Sequence, residues 1–229
     1  NFPTVADPEG SELNQVHLAY SPEEELTFKF GRQVVILDNH RFVGDVGWRQ
    51  NQQTFDAASF LWAPTAALDV FYAFVDHVNR VFGDDSPVGD HRMASNLVNV
   101  GYDVEGWGRA AAYAYLLDYD SVDTNSTNTL GARFAGAHAF DSFELLYGAE
   151  LASQSDTADN PNDVDQDYLL AELGGKVGAW SARLGHEVLG GSGDPGDAFQ
   201  TPLATLHAFN GWADKFLTTP DDGLVDTYL

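Results

Sequence analysis

Cysteine is absent from this chain of 229 residues, so disulfides, thiolate metal sites and a cysteine nucleophile are all excluded. Basic side chains are scarce: 11 Lys and Arg face 35 Asp and Glu, for a formal charge of −24. Neutralising nucleic-acid phosphates takes clustered cations, so no nucleic-acid partner is expected. The acidity fits a solvated surface suited to salt, or a field that attracts cations. Long apolar runs are missing too. The longest, AAAYAYLL at 110–117, falls far short of the ~20 residues a membrane-spanning helix needs. Neither an H-E-x-x-H pair nor a G-x-S-x-G elbow occurs, and no carboxylate pair stands out, so the chain is read as a non-enzyme. The opening NFPTVADPEG shows no basic stretch followed by an apolar one, hence no visible signal peptide.

What is present is a two-residue rhythm, broken by Gly, Asp, Asn, Ser and Pro clusters. In DSFELLYGAELAS, Phe143, Leu145, Tyr147, Ala149 and Leu151 share one face. Leu130, Ala132, Phe134, Gly136, His138 and Phe140 do so in the preceding run, as do Val98, Val100, Tyr102 and Val104 earlier. In WGRAAAYAYLLDYD the apolar face is assigned to Trp107, Tyr113, Tyr115, Leu117 and Tyr119. Further strands are predicted at 14–20, 26–37, 42–51, 54–62, 67–81, 166–174 and 178–189, about eleven in all, joined as consecutive hairpins. Long polar loops alternate with tight turns, and the runs are long. Soluble strands cluster near 5–6 residues, whereas tilted spanning strands need about 9–11. Trp62, Phe82, Trp107, Tyr119, Phe140, Trp180 and Trp212 sit near run ends, as an interfacial girdle requires. The predicted fold is therefore all-β, an antiparallel up-and-down transmembrane β-barrel. Two alternatives stay open on pattern alone: a secreted, salt-adapted β-sandwich binding carbohydrate and calcium, and a structural or adhesive surface protein.

Three stretches carry a resemblance: FPTVADPEGSELNQVHLAY, GRQVVILDNHRFVGDVGWRQNQQTFDA and FQTPLATLHAFNGWADKFLTTPDDGLVDTYL. They resemble the alginate-export-like family of outer-membrane β-barrels, porin-like proteins of Gram-negative and especially marine bacteria. The resemblance implies a barrel of about eighteen strands in the outer membrane, in contact with lipid or lipopolysaccharide. With about eleven strands, residues 1–229 then form a single β-barrel domain that is an internal portion of a longer chain. An alginate exporter implies a pore lined by Arg and Lys. The polar faces here instead nominate Lys29, Arg32, Asp45, Arg49, Asn99, Asp103, Glu105, Arg133, Glu144, Glu150, Arg183 and Glu187 as pore-lining. Carboxylates outnumber cations in that set, which suits small polar or sugar solutes, diffusing or exported, better than a polyanion. Arg133 and Arg183 are expected to pair with Glu144 or Glu187.

Three finer expectations follow. A hairpin turning at Asn39-His40 would place Arg32 and Arg49 on one basic patch beside Asp45, with a bulge at Gly31 switching faces. The helical spacing of Leu203, Leu206, Phe209 and Phe216 suggests a loop folded into the lumen, where Asn210, Asp214 and Lys215 would meet solute. Asp159, Asp163, Asp165 and Asp167 offer oxygen ligands for a loose calcium site. Tyr168 and Gly174, however, stand where the helix-loop-helix calcium motif needs Gly and Glu.

Overall fold

The computed structural model describes residues 10–209 and 214–229. Eleven strands form one antiparallel sheet in the order of the sequence. They are β1 Val16–Glu23, β2 Leu26–Gln33, β3 Thr54–Trp62, β4 Leu68–Asn79, β5 Asp90–Val104, β6 Gly108–Leu116, β7 Thr127–Ala139, β8 Glu144–Asp156, β9 Asp165–Val177, β10 Trp180–Leu189 and β11 Leu224–Tyr228. A sandwich needs two sheets, so the single sheet overturns that alternative. Tight turns gather at one end of the sheet. At the other end the connections are long: 34–53, 80–89, 117–126, 157–164 and 190–223.

Alternation assigns the faces. Leu18, Leu130, Leu151, Leu173, Leu184 and Val225 project from the outer face and are 55% to 69% exposed. A water-soluble protein rarely leaves so continuous an apolar surface uncovered, whereas lipid demands one. Trp62, Trp107, Phe140 and Trp180 are exposed near the tight turns, completing an aromatic border. Tyr119, expected in that border, is buried instead, and Trp212 lies outside the described residues.

The sheet curls. At ~4.8 Å per strand, β3 and β10 would lie roughly 34 Å apart if it were flat. Yet Phe55 of β3 and Leu189 of β10 belong to one buried cluster with Phe42 and Phe199. The edges β1 and β11 are not joined, so the barrel is open.

Two departures from the expected strands share one cause. Residues 42–51 form no strand; the segment 34–53 leaves the sheet after β2, turns inward and packs on the inner face. Phe42 lies 5.4 Å from the ring of Tyr113, 5.1 Å from that of Tyr168 and 5.8 Å from that of Phe199. Consequently β6 is reversed from its expected orientation. Tyr113 and Tyr115 point inward to meet this segment, while Ala110, Ala112 and Ala114 face outward. Alanine suffices against lipid, but the interior needs volume.

The Arg-Gln hairpin is also corrected. Pairing runs unbroken through Gly31 on both sides, with no bulge there, so Phe28, Phe30 and Arg32 all share the outer face. Gly31 has φ +117°, and a Cβ there would approach the Val16 carbonyl oxygen to 2.5 Å, so the strand crossing depends on glycine. Arg32 is thus not pore-lining. It pairs across the strands with Asp56, Nε to Oδ1 at 2.8 Å and Nη2 to Oδ2 at 3.0 Å, near the long-connection end.

Candidate functional site

The inner face near the tight turns carries cross-strand ion pairs. Arg109 of β6 reaches Asp69 of β4 at 2.6 Å and Asp103 of β5 at 3.4 Å. Arg133 of β7 meets Glu150 of β8 at 2.7 Å, and the Tyr113 hydroxyl donates to the same carboxylate at 2.9 Å. Arg183 of β10 lies 3.4 Å from Glu172 of β9, and Lys176 lies 3.5 Å from Glu144. Such pairs form because antiparallel register sets facing residues within reach. Room is made for them: a Cβ at Gly101 would strike the Arg109 guanidinium.

Arg133 and Arg183 do form lumenal pairs as expected, though with Glu150 and Glu172 rather than Glu144 or Glu187. Lys29 and Asn99 also lie on the inner face. Glu105 sits in the tight turn after β5, exposed and off the wall. Asp69, Arg109, Glu172 and Lys176 escaped the sequence reading. Only their cross-strand partners single them out, and register is not visible along one strand.

Glu187 has a different environment. Its carboxylate accepts from Arg41 Nε at 2.6 Å and from the Tyr168 hydroxyl at 2.7 Å, while Arg41 Nη1 donates to Thr201 at 3.3 Å. Arg41 is 0% exposed and Glu187 6%. This pair ties the inward segment to the wall, and backbone contacts reinforce the tie. Gly44 N–H donates to the Leu203 carbonyl at 2.9 Å, and the Gln53 amide donates to the carbonyls of Gly44 and Leu203 at 2.7 and 2.9 Å.

The segment's tip stands in the open interior. Asp38 and His40 adopt φ of 49° and 64°, a left-handed turn that swings Asn39 across the lumen. Asn39 and Arg133 together border both a cavity of about 680 Å³ and one of about 490 Å³. The first is lined also by Arg183, Glu172, Glu187, Asp226 and Tyr228, the second by Asp38, Asp69, Asn99 and Arg109. Both cavities thus lie against the tip and against Arg133 of β7. Asp38 accepts a hydrogen bond from Asn99 at 2.6 Å. It meets lumenal water, but the surrounding wall removes part of its hydration. That desolvation raises its pKa above the ordinary carboxylate value, against the pull of Asn99, Arg133 and Arg109.

The expected constriction loop is inward-facing in part. Leu203 is fully buried and bridges Val43 of the inward segment, and His207 and Phe209 border the larger cavity. Among the described residues of that loop, only the 3-10 turn Leu206–Ala208 is helical. Asp214 does not line the lumen but bonds His207 at 2.6 Å; Lys215 is exposed, and Asn210 lies outside the described residues. Asp45, on the inward segment, is largely buried and accepts from the Gln52 amide at 2.6 Å. Arg49 pairs with Asp214 at 3.9 Å, far from Arg32. Asp159 and Asp163 stay exposed in a loop and Asp165 and Asp167 on the outer face of β9. No three carboxylate or imidazole groups converge among the described residues, so the geometry does not assemble the calcium site.

A family model described as alginate export matches residues 3–210. No curated protein matches significantly. Solved structures similar to the chain are outer-membrane porins. Pseudomonas aeruginosa OccK2 (OpdF) matches with TM-score 0.63 at 12% identity, over 74% of this chain and 46% of that one. The outer membrane protein OpdK of Pseudomonas aeruginosa matches with TM-score 0.61 at 13% identity, over 82% and 51%. Acinetobacter baumannii OccAB4 matches with TM-score 0.61 at 14% identity, over 72% and 42%. At these identities the likeness is one of fold, and the chain spans about half the length of the porins it matches.

Proposed function

The chain belongs to the alginate export family, and from that membership we propose that it forms part of the wall of an outer-membrane channel for small polar solutes or oligosaccharides. The membrane does not tolerate open sheet edges, so β1 and β11 are completed by further strands in the working barrel. The observation that carries the reading is the inward tip at Asn39, whose flanking cavities are both bordered by Arg133, set within a ladder of mutually compensated charges. A lumen in which each arginine of the wall already holds a carboxylate offers an extended polyanion few free cations. It offers neutral and zwitterionic solutes both donors and acceptors. Lys29 and Asp226, which has no ion-pair partner among the described residues, leave a local field of mixed sign, and the acidic excess of the chain favours cations weakly.

Planar-bilayer recording and liposome swelling of the full-length polypeptide test this. Discrete conductance steps with mild cation preference, and swelling rates that drop between mono- and oligosaccharides, are expected. Strong anion selectivity would sink the proposed solute class, and absence of conductance would sink the channel.

A further inference from the structure

Two arginines at the long-connection end stand apart from the ion-pair ladder. Arg49 is 7% exposed, and its buried Nη1 has no acceptor among the described residues. Its Nη2 approaches Asp214 only to 3.9 Å, and that carboxylate is already held by His207 at 2.6 Å. Arg80 has no carboxylate within ion-pair range among the described residues, and burial lowers its pKa from the ordinary value. Leaving the buried Nη1 of Arg49 unmatched is costly, whereas Arg80 is half-buried and keeps its donors within reach of solvent. Both side chains line one cavity of about 70 Å³, together with Trp48, Phe82, Leu206, His207 and Asp214, so two guanidiniums stand there against one carboxylate. Arg49 also lies over the Trp48 ring, 4.2 Å from its centroid, and His207 packs on the same ring at 4.2 Å.

Such a pocket suits one small oxyanion. Its volume corresponds to about two waters, and two guanidiniums supply the fixed, forked donors that carboxylate and phosphate oxygens accept. The indole, stacked on the Arg49 guanidinium, limits the positions that the guanidinium can take. Arg80 and Phe82 also border a neighbouring groove of about 460 Å³ lined by Thr124, Asn125 and Thr218. We infer that the cavity between Arg49 and Arg80 is a binding site for a single carboxylate or phosphate group, separate from the solute path. Of the residues that line it, only His207 also borders a cavity beside Asn39, and neither arginine does, so its failure would leave the channel reading standing.

The test is a titration of the detergent-solubilised full chain with inorganic phosphate and with acetate, at constant ionic strength in chloride, following tryptophan fluorescence. A saturable change is expected with at least one of the two, and which one responds tells tetrahedral phosphate from planar carboxylate. Arg49→Gln and Arg80→Gln should each weaken binding about ten- to hundredfold, the factor for removing a charged donor. Trp48→Phe should abolish the optical change while equilibrium dialysis still registers the anion. The Trp48→Phe result decides the matter even if the arginine variants fail to fold. No saturable binding, equal binding in the arginine variants, or an optical change that survives Trp48→Phe would overturn the site.

Discussion

One inner face carries two opposite environments. Toward the long connections it is dry: Phe42, Phe199 and Leu203 fill it, and Arg41 is buried against Glu187. Toward the tight turns it is wet, and Arg183 and Lys176 face their carboxylates at 42% and 54% exposure. The same chemistry, a guanidinium beside a carboxylate, has different consequences in each. In water the pair gains little, because solvent screens it and ordering the side chains offsets the attraction. Walled off, neither charge can be removed without stranding the other. The wet pairs set the character of the lumen, and the dry pair holds the architecture.

Removing one charge from the dry region should have the largest effect. Arg41→Ala is expected to destabilise the protein by about 3–5 kcal/mol in denaturant titration, and to raise conductance as segment 34–53 loosens. A loss below about 1 kcal/mol, the range of exposed pairs, would erase the distinction between the regions. A smaller effect is expected at their boundary. Tyr113→Phe deletes the hydroxyl that donates to Glu150 but leaves Arg133 in place. A loss of about 1–2 kcal/mol in the same titration is expected, and no loss would show Glu150 to be solvated.

The smallest effect belongs to Asp38, where water and wall meet. Its pKa is raised on folding, so the folded protein holds the proton more tightly than the unfolded chain. Stability is therefore fully favoured at pH values below the ordinary carboxylate range, and falls as pH rises through the elevated folded value. Asp38→Asn should remove that decline. It should leave neutral-pH stability within about 0.5 kcal/mol of the parent after solvent screening, since asparagine tolerates the left-handed turn. Stability measured against pH checks this, and an unchanged decline in the variant would assign the titration elsewhere.

The sequence made the outer face legible because lipid imposes a strict period of two. Leu145, Tyr147 and Leu151 could face nowhere else. It concealed the inward segment for a physical reason: Val34, Val35, Ile36, Phe42 and Val43 are as β-prone as any strand, and only contacts distant in sequence keep them out of the sheet. Arg41 illustrates the loss. One arginine in an apolar run gives no local sign that its partner lies 146 residues away. The paired Arg-Gln motifs mislead in a similar way. They match as dipeptides, but one lies on a strand facing outward and the other in a loop above the lumen. Of the ladder, Asp103, Arg133, Glu144, Glu150 and Arg183 were readable from alternation, whereas their pairing required register.

The outward pair Arg32–Asp56 bears on the membrane itself. With His77 on β4 and Arg92 on β5 it draws a polar line around the long-connection end, facing the aromatic line of Tyr102, Trp62 and Trp107 at the other. On β5 the ten steps from Arg92 to Tyr102 rise about 33 Å along the strand, or roughly 25 Å across a bilayer at the usual tilt. On β3 only the six steps from Asp56 to Trp62 separate the two lines. That difference lies in the register, because Trp62 stands across from Val70 and Val100, two residues short of Tyr102, and bulges on β4 and β5 add residues between the lines; the apolar surface between the two lines is the band that the hydrocarbon layer meets.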